Sequence, residues 1–302
     1  MDRKAIIDIG SNSIKFFVGE PASDGTVATV TDANDIARLG EGLDKTGALS
    51  TEAMERNARA VERFAAQAKE LGANEVVAVG TMALRRASNS GEFLALVRDA
   101  CGLEVRILPG EEEARLAYLA VLSALPLTDG EIVIFDTGGG STEFIFGHGA
   151  HMDKRFSVDL GAVRITENYF SGQPPFYVEE AERQIDRELA AAGVEGRPAQ
   201  LIGMGGTVTS MGAVKHQMTT YDPAVIQGSV LTAEDIAGQI ERYRTSTLAE
   251  RRSIPGLQPK RAEVILAGAC ILRVIARRLG AEQLTISDRG LRHGLAYDMF
   301  HK

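Results

Sequence analysis

Residues 134–147 read IFDTGGGSTEFIFG, and residues 6–19 read IIDIGSNSIKFFVG. Laid over each other in one register, Asp8 falls on Asp136, Gly10 on Gly138, Ser13 on Ser141, Phe16 on Phe144 and Gly19 on Gly147. Each stretch is an apolar strand that stops at a carboxylate, turns through small residues and resumes as a second strand. A repeat of this kind predicts two copies of one domain. Two unrelated hairpins with glycine turns are the plainer alternative.

The turn carries its own chemistry. Glycines at a hairpin tip let backbone N–H groups approach an anion without interference from a Cβ, and a positive φ would cost them nothing. Hydroxyls of Ser13, Ser141 and Thr142 add donors. A strand-ending aspartate beside such a nest would repel phosphate unless it holds a hydrated divalent cation or a water. The two turns therefore read as a phosphate clamp with a metal or water position between them. Ser11, Asn12 and Ser13 belong to the first turn, and Gly138, Gly139, Gly140, Ser141 and Thr142 to the second. Asp8 and Asp136 are the candidate contacts to magnesium or a similar cation, with bracing of their own turns as the alternative role.

Working outward, alternation and turn signals predict strands near 4–8, 14–20, 26–33, 75–79 and 104–108 in the first half. Helices are expected near 51–71, opened by Ser50 or Thr51 as cap, at 81–87 and 91–101, and from 109 to about 124. The second half restarts with strands near 131–136, 142–147 and 151–157, then helices, a strand at 199–203 and further helices. Three strands followed by alternating helices and strands imply an α/β protein built on mixed sheets.

At 302 residues, with 44% apolar and 25% charged residues, the chain can bury two ordinary cores. No apolar run reaches membrane-span length and no export signal is visible, so a cytoplasmic protein without membrane contact is expected. Cys101 and Cys270 stand alone, as thiols of a reducing compartment do. A net charge of −8 argues against a general nucleic-acid binder but leaves room for a locally basic, anion-binding site. His148, His151 and His301 lack metal-ligand spacing, and no serine-hydrolase elbow, P-loop or dinucleotide fingerprint occurs.

IDIGSNSIK (7–15) and FDTGGGSTE (135–143) resemble the paired phosphate loops of the acetate kinase, sugar kinase, Hsp70 and actin superfamily. LIGMGGTVTS (201–210), with Gly205, Gly206 and Thr207, is similar to its third glycine-rich loop. Within that superfamily, GTMALRRA (80–87), PGEEEARLAY (109–118), the stretch at 254–272 and ISDRGLRHG (286–294) resemble the exopolyphosphatase and guanosine pentaphosphate phosphohydrolase family. The resemblance implies two duplicated actin/ribonuclease-H-like domains flanking a cleft, roughly 1–122 and 123–302, with a last helix near 289–302 packing back on the first. It also implies a homodimer.

The same resemblance places the catalytic carboxylate at Glu113, orienting and deprotonating an attacking water. Acids at a helix N-terminus can equally serve the macrodipole, which is the reading kept for Glu111. Glu143 falls on Lys15 in the internal alignment: Lys15 would neutralise a bound phosphate, and Glu143 would position water or metal. Arg85 is matched to a phosphate-binding arginine, with Arg86 as a solvated neighbour. Arg289 and Arg292 form a second basic cluster that could also be plain surface. His293 stands where the family commonly has Glu. Lys215, His216 and Arg261 could extend a basic path. The implied activity is exopolyphosphatase, releasing terminal phosphate from inorganic polyphosphate, with guanosine pentaphosphate hydrolysis as the alternative. A non-catalytic polyphosphate or nucleotide sensor is the more remote one.

Overall fold

A computed structural model describes residues 2–23, 26–126 and 128–301. The chain divides into two compact units, Met1–Ser123 with Gly290–Lys302, and Ala124–Arg289. Among the described residues, no helix is long and apolar enough to cross a membrane.

The first unit contains strands β1 (Lys4–Ile9), β2 (Ile14–Pro21), β3 (Val27–Asp35), β4 (Glu75–Gly80) and β5 (Val105–Ile107). Its helices are α1 (Leu43–Thr46), α2 (Thr51–Glu70), α3 (Met82–Arg86), α4 (Ser90–Cys101) and α5 (Gly110–Leu122). The second unit holds β6 (Glu131–Thr137), β7 (Thr142–His148), β8 (His151–Val158), β9 (Gln200–Met204), β10 (Val230–Thr232) and β11 (Gln283–Ile286). Its helices are α6 (Ala162–Tyr169), α7 (Glu179–Ala191), α8 (Gly205–Lys215), α9 (Pro223–Ile226), α10 (Ala233–Thr245), α11 (Leu248–Arg252) and α12 (Ile265–Arg278). The last helix, α13 (Leu291–Phe300), belongs to the first unit.

The sheets run β3-β2-β1-β4-β5 and β10-β11-β9-β6-β7-β8. In each, an antiparallel meander of three strands is joined by a parallel strand laid against its first member, β4 on β1 and β9 on β6. The repeat read from the sequence is thus a repeat of topology. Strands β10 and β11 had no counterpart in the sequence reading. Both are short, and β11 follows directly on the long apolar helix α12, where four residues give too little alternation to separate a strand from a helix end.

Period-2 alternation in β1 decides what each face meets. Ala5, Ile7 and Ile9 enter a core with α2 and α4, while Ile6 joins Leu116, Leu291 and Leu295 of α5 and α13. Asp8 shares the Ile6 face, and its cross-strand partner is Lys15. One carboxylate is therefore carried to the side of the sheet where α5 lies. Helix α2 starts at Ser50, whose Oγ accepts from the Ala53 N–H at 3.2 Å.

Helices α5 and α13 approach so closely that a Cβ at Gly294 would lie 1.8 Å from the Leu116 carbonyl oxygen. The Arg115 guanidinium forks onto Asp298 at 3.0 and 3.3 Å, fixing the register of the pair. Gly294→Ala should destabilise the protein by about 1–3 kcal/mol through overpacking, read as a lower denaturant midpoint; an unchanged midpoint would contradict this packing.

Candidate active site

In the first unit the β1–β2 turn is closed by the Gly10 N–H donating to the Ser13 carbonyl at 3.0 Å. The carbonyls of Ser11 and Asn12 are taken from outside, by the N–H groups of Gly40 (2.8 Å) and Arg38 (2.9 Å). Arg38 holds a left-handed φ of 48°, uncommon for a residue with a side chain. The N–H groups of Ser11, Asn12 and Ser13 have no acceptor among the described residues. They form the donor side of the turn.

Four side chains gather beside it. The Arg85 Nη1, at the end of α3, donates to the Leu108 carbonyl at 2.8 Å and to Glu113 Oε2 at 2.7 Å. Glu113 lies in the first turn of α5, where Pro109 supplies the N-terminal bend and accepts the Glu113 N–H at 3.0 Å. Lys15 Nζ is 4.0 Å from Asp8 Oδ2. The Asp8 carboxyl is buried, and its Oδ1 has no hydrogen-bond partner. Burial pushes the Asp8 carboxyl above the ordinary range, opposed by Lys15 and Arg292. Burial likewise raises Glu113, with Arg85 opposing, Asp8 adding to the rise and Lys15 opposing. The charges of Asp8, Glu113, Arg85 and Lys15 thus act on one another. Of the neighbouring acids, Glu112 pairs instead with Arg106 at 3.1 Å on an exposed face.

A divalent cation fits Asp8 by one criterion of this structure: a buried carboxylate oxygen without a partner is a costly group that a hydrated ion would satisfy. Among the described residues no three His, Cys, Asp or Glu side chains converge, so most ligands of such an ion would be water and phosphate.

Arg292 and His293 open α13 by turning toward β3. Arg292 forks onto Asp32 at 2.8 and 2.9 Å, and its charge also reaches Asp8. His293 Nδ1 accepts the Gly290 N–H at 3.0 Å, which leaves Nε2 as the protonated nitrogen facing Asp32 at 2.9 Å. A glutamate at this third helical position could make the first bond but not donate the second. Arg289, expected in the same basic cluster, belongs to the second unit, where its N–H donates to Ser287 Oγ at 3.2 Å.

In the second unit the turn repeats the first, with the Gly138 N–H on the Ser141 carbonyl at 2.8 Å and Asp136 opposite Glu143. The N–H groups of Ala162 and Val163 take the Gly138 and Gly139 carbonyls, at 3.0 and 2.9 Å. The N–H groups of Gly139, Gly140 and Ser141 have no acceptor among the described residues. Gly138, Gly139 and Gly140 are not at positive φ; the close approach to this turn falls on Gly161, where a Cβ would lie 2.1 Å from the Gly139 carbonyl oxygen.

Not every candidate faces the turn's open side. Ser141 Oγ donates to Glu143 Oε1 at 2.6 Å, and Ser157 Oγ adds a second bond at 3.0 Å. Thr142 is fully buried and its hydroxyl donates to the Leu160 carbonyl at 2.6 Å, so it braces the turn from inside. Thr207 is also buried, packed on Gly268 of α12.

Gly205, at a φ of +81°, carries the chain past Asp136 so tightly that a Cβ would lie 2.0 Å from Oδ1. A Cβ on Gly206 would lie 1.8 Å from Nη2 of Arg261. Asp136, the start of α8 and Arg261 are thus one cluster, which the sequence reading had separated by ranking Arg261 with a peripheral basic path. Its signal was position, next to a proline turn, rather than residue type.

The chain belongs to the Ppx/GppA phosphatase family, hydrolases whose family model matches residues 20–302. It is 31% identical over 316 aligned residues to Exopolyphosphatase 2 of Mycobacterium tuberculosis, with 99% of each chain covered. The Aquifex aeolicus family member of known crystal structure is 32% identical at a TM-score of 0.88, covering 99% of this chain and 97% of that one. An exopolyphosphatase from Cytophaga hutchinsonii shares the fold at a TM-score of 0.85 and 24% identity, over 99% and 98% of the chains.

Arginine and histidine hold the Asp32 carboxyl well below the usual carboxylate range against its burial. A lowered folded value means the stabilisation is complete above the unfolded value of about 3.9 and is lost as pH falls below it. Asp32→Asn should therefore cost about 1–3 kcal/mol at neutral pH, with the gap to wild type closing as acid unfolding is approached; a gap independent of pH would rule this out.

Proposed function

We propose that the first unit's cluster hydrolyses a terminal phosphoanhydride, with inorganic polyphosphate as substrate. The observation that carries the reading is the Arg85–Glu113 pair beside the unpartnered Asp8 oxygen and the donor face of the Gly10–Ser13 turn. The name of the M. tuberculosis relative supports polyphosphate as the substrate.

Glu113 is the general base. A water oxygen attacks the terminal phosphorus, the bridging P–O bond breaks, the shortened chain leaves with the bridging oxygen, and the water proton passes to the Glu113 carboxylate. A carboxyl raised by burial is a stronger base than an exposed one, which suits that step. The Arg85 guanidinium has five N–H donors and can hold Glu113 and a phosphoryl oxygen together. Lys15 and the N–H groups of Ser11, Asn12 and Ser13 neutralise phosphate charge, and Arg292 contributes charge from its bridge to Asp32. A magnesium ion, when bound at Asp8, would screen the charge of the phosphates.

In the second unit, the N–H groups of Gly139, Gly140 and Ser141, the start of α8 at Gly205 and Gly206, and Arg261 form a cluster suited to binding phosphate. Glu143, held by two serine hydroxyls, orients water there, and Asp136 is a candidate for a second cation contact. Thr142 and Thr207 serve by supporting these loops.

Phosphate release with magnesium from medium-chain polyphosphate and from guanosine pentaphosphate, side by side, tests the reading. Glu113→Gln should lower kcat by roughly 10²–10⁴-fold while polyphosphate still binds. Release from the nucleotide alone would transfer the activity to the alarmone, and binding without release from either would leave a sensor.

The pH profile gives a second test. The acid limb of kcat/KM should lie above the ordinary glutamate value of about 4.3. Because Arg85 pulls Glu113 down, Arg85→Met should move that limb to still higher pH. A limb left in place would remove Glu113 as the base.

A further inference from the structure

Arg251, on the short helix α11, is 4% exposed, yet it forms no ion pair with any carboxylate among the described residues. Its partners are two backbone carbonyls and a ring. Nε donates to Ser246 at 3.3 Å, Nη1 donates to Ala262 at 3.0 Å, and the guanidinium lies 5.4 Å from the centroid of Phe176. A buried cation without a counter-charge is an expensive way to fill space, since an apolar side chain of the same volume avoids the desolvation cost.

What the cation holds explains its presence. Ala262 directly follows the one-turn 3-10 helix Pro259–Arg261, which delivers the Arg261 guanidinium to Gly206 and Asp136. That turn has few bonds of its own. The Arg261 N–H donates to the Gln258 carbonyl at 2.8 Å, and the Val264 N–H to the Arg261 carbonyl at 3.1 Å. Arg251 is anchored in turn, because α11 begins with a reciprocal cap in which Thr247 Oγ1 accepts the Glu250 N–H and Glu250 accepts the Thr247 N–H. The line runs from a capped helix, through a buried guanidinium, to the carbonyl adjoining Arg261.

We infer that Arg251 is a positioning residue for substrate binding, fixing the 259–261 turn so that Arg261 presents its guanidinium to phosphate at the start of α8. This rests on the reading of Arg261 as a phosphate ligand. Arg251 itself is enclosed and touches no substrate.

The test is a double-mutant cycle on polyphosphate hydrolysis with Arg261→Met, Arg251→Met and the double variant, each also followed by thermal unfolding. Arg261→Met should raise KM by roughly 10–100-fold, as expected for losing a hydrogen bond to a charged group. Arg251→Met should raise KM by about 3–10-fold, with the change falling on KM rather than kcat, and the double variant should be no worse than Arg261→Met alone. Arg251→Lys, which keeps the charge but loses the fork, should shift KM the same way by less, and it serves if the methionine variant does not fold. A KM unchanged by either Arg251 substitution while Arg261→Met raises it, or effects that multiply in the double variant, would reduce Arg251 to packing. A KM unaffected by Arg261→Met would overturn the Arg261 reading and the inference with it.

Discussion

Everything at the first candidate site depends on the pairing of β1 with β2 in a single register. That pairing sets Asp8 opposite Lys15 and, by the pleat, puts both on the face that Ile6 and Phe17 pack against α5 and α13. A slip of one residue would send the carboxylate into the apolar core beneath α2 and α4. The hydrophobic alternation that secures the core is therefore the same constraint that aims the chemistry.

The second unit repeats the device with different endings. Asp136 faces Glu143 where Asp8 faces Lys15, and the turn is closed by the same backbone bond. In the first unit the neighbouring charges are an arginine and a glutamate, Arg85 and Glu113, bonded at 2.7 Å. In the second, serines satisfy the glutamate, and the arginine comes from a distant proline turn against Gly206. In the proposed reading one scaffold thus supports an acid–base cluster in one copy and an anion-binding cluster in the other, because strand register is inherited while side chains beyond it are free to change.

Helix α13 shows how a late segment can serve an early one. It meets α5 through Gly294 and Asp298 and meets β3 through Arg292 and His293. The position of Glu113 is therefore set by residues about 180 places further along the chain. His293 answers a question the sequence left open. It keeps the capping bond a glutamate would make and adds a donor to Asp32.

The duplicated strand–turn–strand and the mixed sheets were legible because they follow from local alternation and from a repeat in fixed register. Glu113 and Arg85 were marked instead by the family resemblance of the stretches 109–118 and 80–87. Local pattern could not show that Thr142 and Thr207 point inward, that Arg292 is committed to Asp32, that Gly161 has no room for a side chain because the Gly139 carbonyl lies on it, or that the charges of Arg261 and Asp136 interact. Each of those depends on which elements pack together over long separations, and a sequence pattern with period 2 or 3.6 records which face a residue occupies but not what the rest of the chain brings to that face.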